Sequence, residues 1–234
     1  MKKFSVISGG SGGLGLEIAD ILVRSGKNVL ILGRNSEKLA DALNRLKKSV
    51  KDNSVEAIKC NIGKEEDILN LSDYLFKYEL SVDYLFNNAG MGLFGKADTS
   101  TSEMIERVFE ANLKGMILLT SEILRLTPEK EILTIVNIMS TSALIGRAEE
   151  TLYCAAKWGA RGYTEALRTE MKGTTRNIVA VYPGGMKTDF WTVPGQNRDI
   201  SSFMDPAVVA QKIVSTLIDN DKLQVTDITI NRKR

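Results

Sequence analysis

Residues 8–15 read SGGSGGLG, and five of the eight are glycine. Gly/Ser tracts of this composition often serve as flexible linkers. The flanks give this one a different reading. Before it, KKFSVIS is a short apolar run with strand character. After it, Leu14, Ile18, Ile21 and Leu22 recur at helical spacing, with Gly26 as a stop. KNVLILG then reads as a buried strand. Strand, glycine turn, helix and strand in this order make a βαβ unit. There the glycines let the chain bend tightly off the first strand. They also leave room for a pyrophosphate at the helix N-terminus, where unpaired N–H groups and the helix dipole favour negative charge. Two registers fit: Gly10, Gly12 and Gly15 match G-x-G-x-x-G, and Gly9, Gly13 and Gly15 match the wider G-x-x-x-G-x-G.

The alternation continues along the chain. Strands are predicted over 3–8, 28–33, 54–60, 82–87, 133–139, 177–182 and 225–230, and helices over 14–24, 36–49, 64–77, 102–126, 152–172 and 206–219. This order predicts an α/β doubly wound Rossmann fold of about seven parallel strands with helices on both faces, as a single domain over 1–234. The longest irregular stretch, 183–205, is the candidate substrate loop. Ligands of such sheets bind beyond the carboxyl ends of the strands. Those ends carry Ser8–Gly15, Gly33–Arg34, Asn61, Asn87–Gly90, Ser140 and Pro183–Gly185.

Composition narrows the chemistry. The chain has 234 residues, 43% hydrophobic and 26% charged, which suits one globular domain. A formal net charge of +2 gives no reason to expect a nucleic-acid partner. No apolar run approaches a membrane span, the MKK start does not read as a secretory signal, and the basic NRKR end reads as a solvated tail. Cys60 and Cys154 form no metal-ligand spacing, so no metal is expected, and a reducing cytoplasm is the expected location. The chain has no histidine, which excludes Ser-His-Asp catalysis and histidine acid–base chemistry.

Other side chains must therefore move protons. In YCAAKWG, Tyr153 and Lys157 lie one helical turn apart and share a face. A free tyrosine titrates near pH 10, and a nearby ammonium favours the phenolate and lowers that value. Tyr153 is then placed to give a proton to a carbonyl oxygen or take one from an alcohol. Ser140, at the end of the preceding strand, is placed to hold that oxygen as charge develops. No side chain supplies a hydride, so a cofactor must, and the glycine turn offers the place for a dinucleotide.

With these residues in view, the chain resembles the short-chain dehydrogenase/reductase family in its compact single-domain branch. The similarity runs from the first strand to about residue 190. The glycine motif T-G-x-x-x-G-x-G is matched by Ser8, Gly9, Gly13 and Gly15, which selects the wider register. N-N-A-G is Asn87–Gly90, the helix asparagine is Asn112 in EANLKG, and the strand-end serine is Ser140. Y-x-x-x-K is Tyr153 and Lys157, and P-G is Pro183–Gly184 with Thr188 after it. The resemblance implies a catalytic tetrad of Asn112, Ser140, Tyr153 and Lys157, with Asn112 holding a water that links Lys157 to solvent. It implies cofactor contacts from Gly9, Ser11, Gly13, Leu14, Gly15, Asn61, Asn88, Ala89, Gly90, Tyr153, Lys157, Pro183, Gly184 and Thr188. Asn61 stands where many members place an aspartate against the adenine ring, and its amide oxygen is expected to accept there instead. The ending DITINRKR lacks the glycine-rich close frequent in the fatty-acid-synthesis ketoacyl reductases.

At the end of the second strand, Gly33–Arg34–Asn35 offers no acid to bind a ribose 2′-hydroxyl. Arg34 suits a 2′-phosphate, so NADP(H) is expected over NAD(H), acting on a ketone or aldehyde. The pocket for that small-molecule substrate is expected to be lined by Met91, Leu93, Ser140, Leu144, Arg147, Met186, Phe190 and Trp191, with Phe203 and Met204 on the loop. An NAD-dependent alcohol dehydrogenase and a non-catalytic dinucleotide sensor are the alternatives. The family's usual interface helices, here 102–126 and 152–172, imply a homodimer or homotetramer, with Trp158 and Tyr163 on or near the outer surface.

Overall fold

Phe4 and Val6 point to one side of the first strand and Ile7 to the other, and all three are fully buried. A strand buried on both faces needs a layer of helices on each. The computed structural model describes residues 1–192, 199–218 and 223–233. Its strands are β1 (Lys2–Ser8), β2 (Asn28–Gly33), β3 (Val55–Lys59), β4 (Leu80–Asn87), β5 (Leu133–Ile138), β6 (Arg176–Pro183) and β7 (Asp227–Ile230). They form one seven-stranded parallel sheet in the order β3-β2-β1-β4-β5-β6-β7. The chain order reverses between β1 and β4, the switch point at which an open α/β sheet leaves a crevice.

On one face, α1 (Gly13–Arg24), α2 (Ser36–Lys47) and α7 (Pro206–Ile218) pack through Ile18, Leu22, Leu39 and Ile213 onto Ile7, Ile31, Val136 and Val179. On the other, α3 (Glu65–Lys77), α5 (Gly115–Leu126) and α6 (Thr151–Glu170) pack through Leu71, Leu75, Leu119, Ile123 and Leu167 onto Phe4, Val6, Leu30, Leu85 and Ile135. Most element ends fall within a residue or two of those expected, the ordinary latitude of helix and strand termini. Among the described residues, no helix is long and apolar enough to cross a membrane.

Two expectations change. The helix expected over 102–126 is broken into α4 (Ser102–Phe109), a π-helical turn over Glu110–Lys114, and α5. The Nδ2 of Asn112 donates to the Val108 carbonyl at 2.9 Å, the oxygen its own backbone N–H would take in an α-helix. The ladder widens there by one residue. The basic C-terminal segment is also more than a solvated tail. Arg232 donates to the Ser202 carbonyl at 3.3 Å, and Asn231 Oδ1 lies against Gly184. Of the substrate loop expected over 183–205, residues 193–198 lie outside the described residues. Its two ends are joined by Lys187 N–H to Met204 O and Met204 N–H to Gly185 O, at 2.9 and 3.0 Å.

Candidate active site

The turn after β1 has left-handed backbone at Gly9 (φ 65°) and Gly13 (φ 51°), where a side chain would be strained. At Gly15 the constraint is contact, since a Cβ there would lie 2.4 Å from the Gly9 carbonyl. Gly15 therefore does not line the cavity beyond the sheet; it lets α1 close onto the turn. The N-N-A-G segment braces this turn from the side. Ser8 Oγ accepts from the N–H groups of Asn88 and Ala89 at 3.0 and 3.1 Å. Asn88 Nδ2 donates to the carbonyls of Ser8 and Gly9 at 3.1 and 3.2 Å. A hydroxyl and an amide thus lock β1 to β4 at the switch point.

A cavity of about 830 Å³ opens beyond the carboxyl ends of the strands. Of the expected cofactor residues, Gly9, Ser11, Gly13, Leu14, Arg34, Asn88, Ala89, Gly90, Pro183, Gly184 and Thr188 line it. Ser140, Tyr153 and Lys157 line it as well, as do Met91, Leu93, Arg147, Met186, Phe190 and Trp191. Leu144 does not: it is packed with Met116, Met139, Ala160 and Tyr182 behind α6. The 3₁₀ turn at Thr141–Ala143 carries the chain away from the cavity before Leu144 is reached. Asn61 lines only a smaller side chamber.

Asn112 also stays out of the cavity. Its Oδ1 accepts from Met91 N–H at 3.3 Å, and its Nδ2 donates to Met91 O at 2.8 Å as well as to Val108. The side chain is committed to backbone groups, which makes it a positioning residue for the segment after β4. It still neighbours Lys157. A Cβ on Gly90 would lie 2.7 Å from Asn112 Oδ1 and 3.6 Å from Lys157 Nζ.

Tyr153 is buried, with Ser140 beside it on the same cavity. Burial drives its phenol well above the usual range, and the neighbouring Ser140 hydroxyl opposes this only in part. The expectation that Lys157 lowers it is not met: burial sets the direction of the shift. Lys157 Nζ lies 5.7 Å from the Tyr153 ring centroid and donates to the Ile138 carbonyl at 3.3 Å. Burial instead lowers Lys157 itself, from 10.5 to about 8. Near neutral pH the pair is therefore a protonated phenol beside an ammonium.

The Lys157 shift sets a pH dependence. Below about pH 8 the folded chain carries the ammonium, and above it the neutral amine. Dinucleotide affinity, measured by fluorescence titration, is expected to fall as pH rises through about 8. Between about 8 and 10.5 the unfolded chain binds more protons at this lysine than the folded one, so Lys157 makes stability rise with pH across that window. In Lys157→Met, urea denaturation should show this rise reduced.

Phe94 and Glu150 were not expected at the site. Phe94 meets the Tyr153 ring edge-on at 5.9 Å and stacks on Trp191 at 5.2 Å, and Phe190 meets Tyr153 at 5.5 Å. With Phe203 on Trp191, aromatic rings form an apolar wall around the phenol. Glu150 is buried on the cavity and accepts from Ser142 Oγ at 3.0 Å. A left-handed Glu149 (φ 61°), whose carbonyl accepts from Gly95 N–H at 2.8 Å, turns Glu150 inward. Tyr163 is half-buried against both α5 and α6 cores, so of the expected surface pair only Trp158 is exposed. Cys60 is buried, and that burial, with Asp67 nearby, pushes its thiol up to about 12.

Fold and site together define an oxidoreductase of the Rossmann type that works without metal-ligand histidines. The model of the short chain dehydrogenase family matches residues 3–199, and the chain belongs to that family. It is 35% identical to a 3-oxoacyl-(acyl-carrier-protein) reductase of Rickettsia conorii over 80% of this chain and 74% of that protein. An uncharacterized oxidoreductase of Staphylococcus aureus is 25% identical over 97% of this chain and 96% of its own length. Among solved structures, a short-chain dehydrogenase/reductase from Vibrio parahaemolyticus is 33% identical with a TM-score of 0.84, covering 97% of this chain and 96% of that one. Members use a nicotinamide dinucleotide, and the residues here fit one. Gly12 caps α1 on the cavity with nothing within 4 Å of a Cβ placed on it, which leaves the helix N-terminus open to a diphosphate.

Proposed function

We propose that the chain is an NADP(H)-dependent carbonyl reductase for an apolar ketone or aldehyde. The observation that carries this reading is one cavity with two furnished ends. At one end the Tyr153 hydroxyl sits beside Ser140 within aromatic walls. At the other, Arg34 and Lys38 line the cavity, and Gly33–Asn35 brings no acid. A bound nicotinamide supplies the hydride. The chain supplies the rest. Ser140 Oγ holds the substrate oxygen, and the Tyr153 hydroxyl, kept protonated by burial, gives that oxygen its proton. Lys157 keeps positive charge beside the phenol, and Asn112 fixes the Asn88–Met91 segment that forms the facing wall.

The named activity of the Rickettsia relative, reduction of a 3-oxo group, supports the same reaction class. The rings of Phe94, Phe190, Trp191 and Phe203 favour an aromatic or aliphatic substrate over a sugar phosphate. The test is NADPH consumption against a panel of ketones and aldehydes, compared with NADH. An NAD-dependent dehydrogenase would show the reverse cofactor order, and a dinucleotide sensor would bind without turnover. We propose a homo-oligomer as well, with the exposed Trp158 of α6 in its interface. Light scattering at micromolar concentration should give a dimer or tetramer, and Trp158→Glu should shift it toward monomer. A monomeric wild type would contradict this.

A further inference from the structure

Ser140 leaves β5 with extended backbone (φ −171°, ψ 160°), and its Oγ accepts from Ser142 N–H at 3.1 Å. A hydroxyl has one proton and two lone pairs. The Ser142 N–H occupies a lone pair, so it fixes the oxygen and leaves the Ser140 proton for a group in the cavity. Ser142 is itself held from the helix. It is buried, and its Oγ donates to Glu150 Oε2 at 3.0 Å. Glu150 stands at the N-cap of α6, and Cys154 N–H donates to its carbonyl at 2.7 Å. An N-cap side chain usually accepts from the free N–H groups of the first turn, and Glu150 makes no such bond. Its carboxylate is directed to Ser142 instead. Tyr153 lies three residues on, on the same helical face, and lines the same cavity as Ser140, Ser142 and Glu150. One side chain thus ties the turn that holds Ser140 to the helix that holds Tyr153.

We infer that Glu150 is a positioning residue for the reaction: through Ser142 it fixes the Ser140 hydroxyl relative to Tyr153. The inference rests on the reading of Ser140 as the group that holds the substrate oxygen, and it gives a role to a buried carboxylate outside the tetrad. Negative charge develops on that oxygen as the hydride arrives. A Ser140 proton held out of place therefore costs rate more than it costs binding. Arg147 grips the same turn at Thr141 Oγ1 and Arg161 grips it at the Ala143 carbonyl, at 3.1 and 3.4 Å. Loss of the Glu150 contact should then free Ser142 without unfolding the turn.

The test is a double-mutant cycle on the full chain at saturating NADPH, with the panel carbonyl compound that wild type reduces fastest. Glu150→Ala is expected to lower kcat about tenfold, with KM for the carbonyl compound and the NADPH Kd within about twofold of wild type. Ser142→Ala, a smaller change at the other end of the same contact, should give the same loss, and it decides the matter if Glu150→Ala does not fold. Glu150→Gln keeps an acceptor for the Ser142 hydroxyl and should recover most of the rate, to within about threefold of wild type. In a Ser140→Ala background, Glu150→Ala should change kcat by less than about twofold, because the group it positions is gone. A tenfold loss in that background would overturn the inference alone, since a residue that merely supports α6 would act with or without Ser140. So would Ser142→Ala at the wild-type rate. Ser140→Ala with undiminished turnover, or a wild type that reduces no carbonyl compound, would overturn the reading of Ser140 itself, and this inference with it.

Discussion

Tyr153→Phe is expected to lower kcat by roughly two to four orders of magnitude, the range for loss of a positioned general acid. That corresponds to about 3–5 kcal/mol in the barrier. Dinucleotide affinity should stay close to wild type, because the ring keeps its packing. Phe94 and Phe190 contact the Tyr153 ring at 5.9 and 5.5 Å between centroids, and the change removes only the hydroxyl. Ser140→Ala should cost less, and the double variant little more than Tyr153→Phe alone, since both groups act on one oxygen. Steady-state kinetics with a fluorescence titration of the cofactor separates the two effects. A Tyr153→Phe enzyme with substantial turnover would remove the phenol from the reaction.

Arg34→Ala is expected to weaken NADPH by roughly one to two orders of magnitude and leave NADH nearly unchanged. A charge-assisted contact contributes about 1.5–3 kcal/mol, and each 1.4 kcal/mol is about tenfold. Arg34 is exposed, which places the effect toward the lower end. Lys38 lines the same cavity and holds Asp189 at 3.4 Å in an exposed ion pair, so it retains part of the phosphate affinity. Reversal of preference also needs a repulsive charge. Gly33→Asp supplies one, and the obstacle is crowding rather than backbone strain. A Cβ there would lie 3.0 Å from Ser11 Oγ and 3.2 Å from Leu39 Cδ2. Pairing it with Ser11→Gly relieves the first contact. Wild type preferring NADH, or an NADPH preference unchanged by Arg34→Ala, would overturn the assignment of the phosphate to Arg34.

The sheet was legible because its strands are buried on both faces. The stretch VLIL is apolar without alternation and is bounded by Asn28 and Gly33. Residues at strand ends were legible for the same reason: where a strand stops fixes what stands on the crevice. What stayed hidden depends on one side chain competing for one backbone group. Nothing in EANLKG marks a π-helical turn, because helical periodicity does not register whether Asn112 takes the Val108 carbonyl. The inward path of Glu150 depends on a left-handed residue that is not glycine, Glu149, and propensity argues against that. Leu144 was misplaced because an apolar residue beside a site packs equally well into the core behind it. The orientation of the Asn61 amide is set by Gly63 N–H, a contact that no pattern of residue types encodes.

The most direct measurement is carbonyl-dependent consumption of NADPH by the wild-type chain across a panel of aryl and alkyl ketones and aldehydes, with Tyr153→Phe alongside. The predicted result is turnover of at least one apolar carbonyl compound, faster with NADPH than with NADH and nearly absent in the variant. NADPH binding with no consumption by any carbonyl, or turnover that survives in Tyr153→Phe, would contradict a Tyr153-centred reductase.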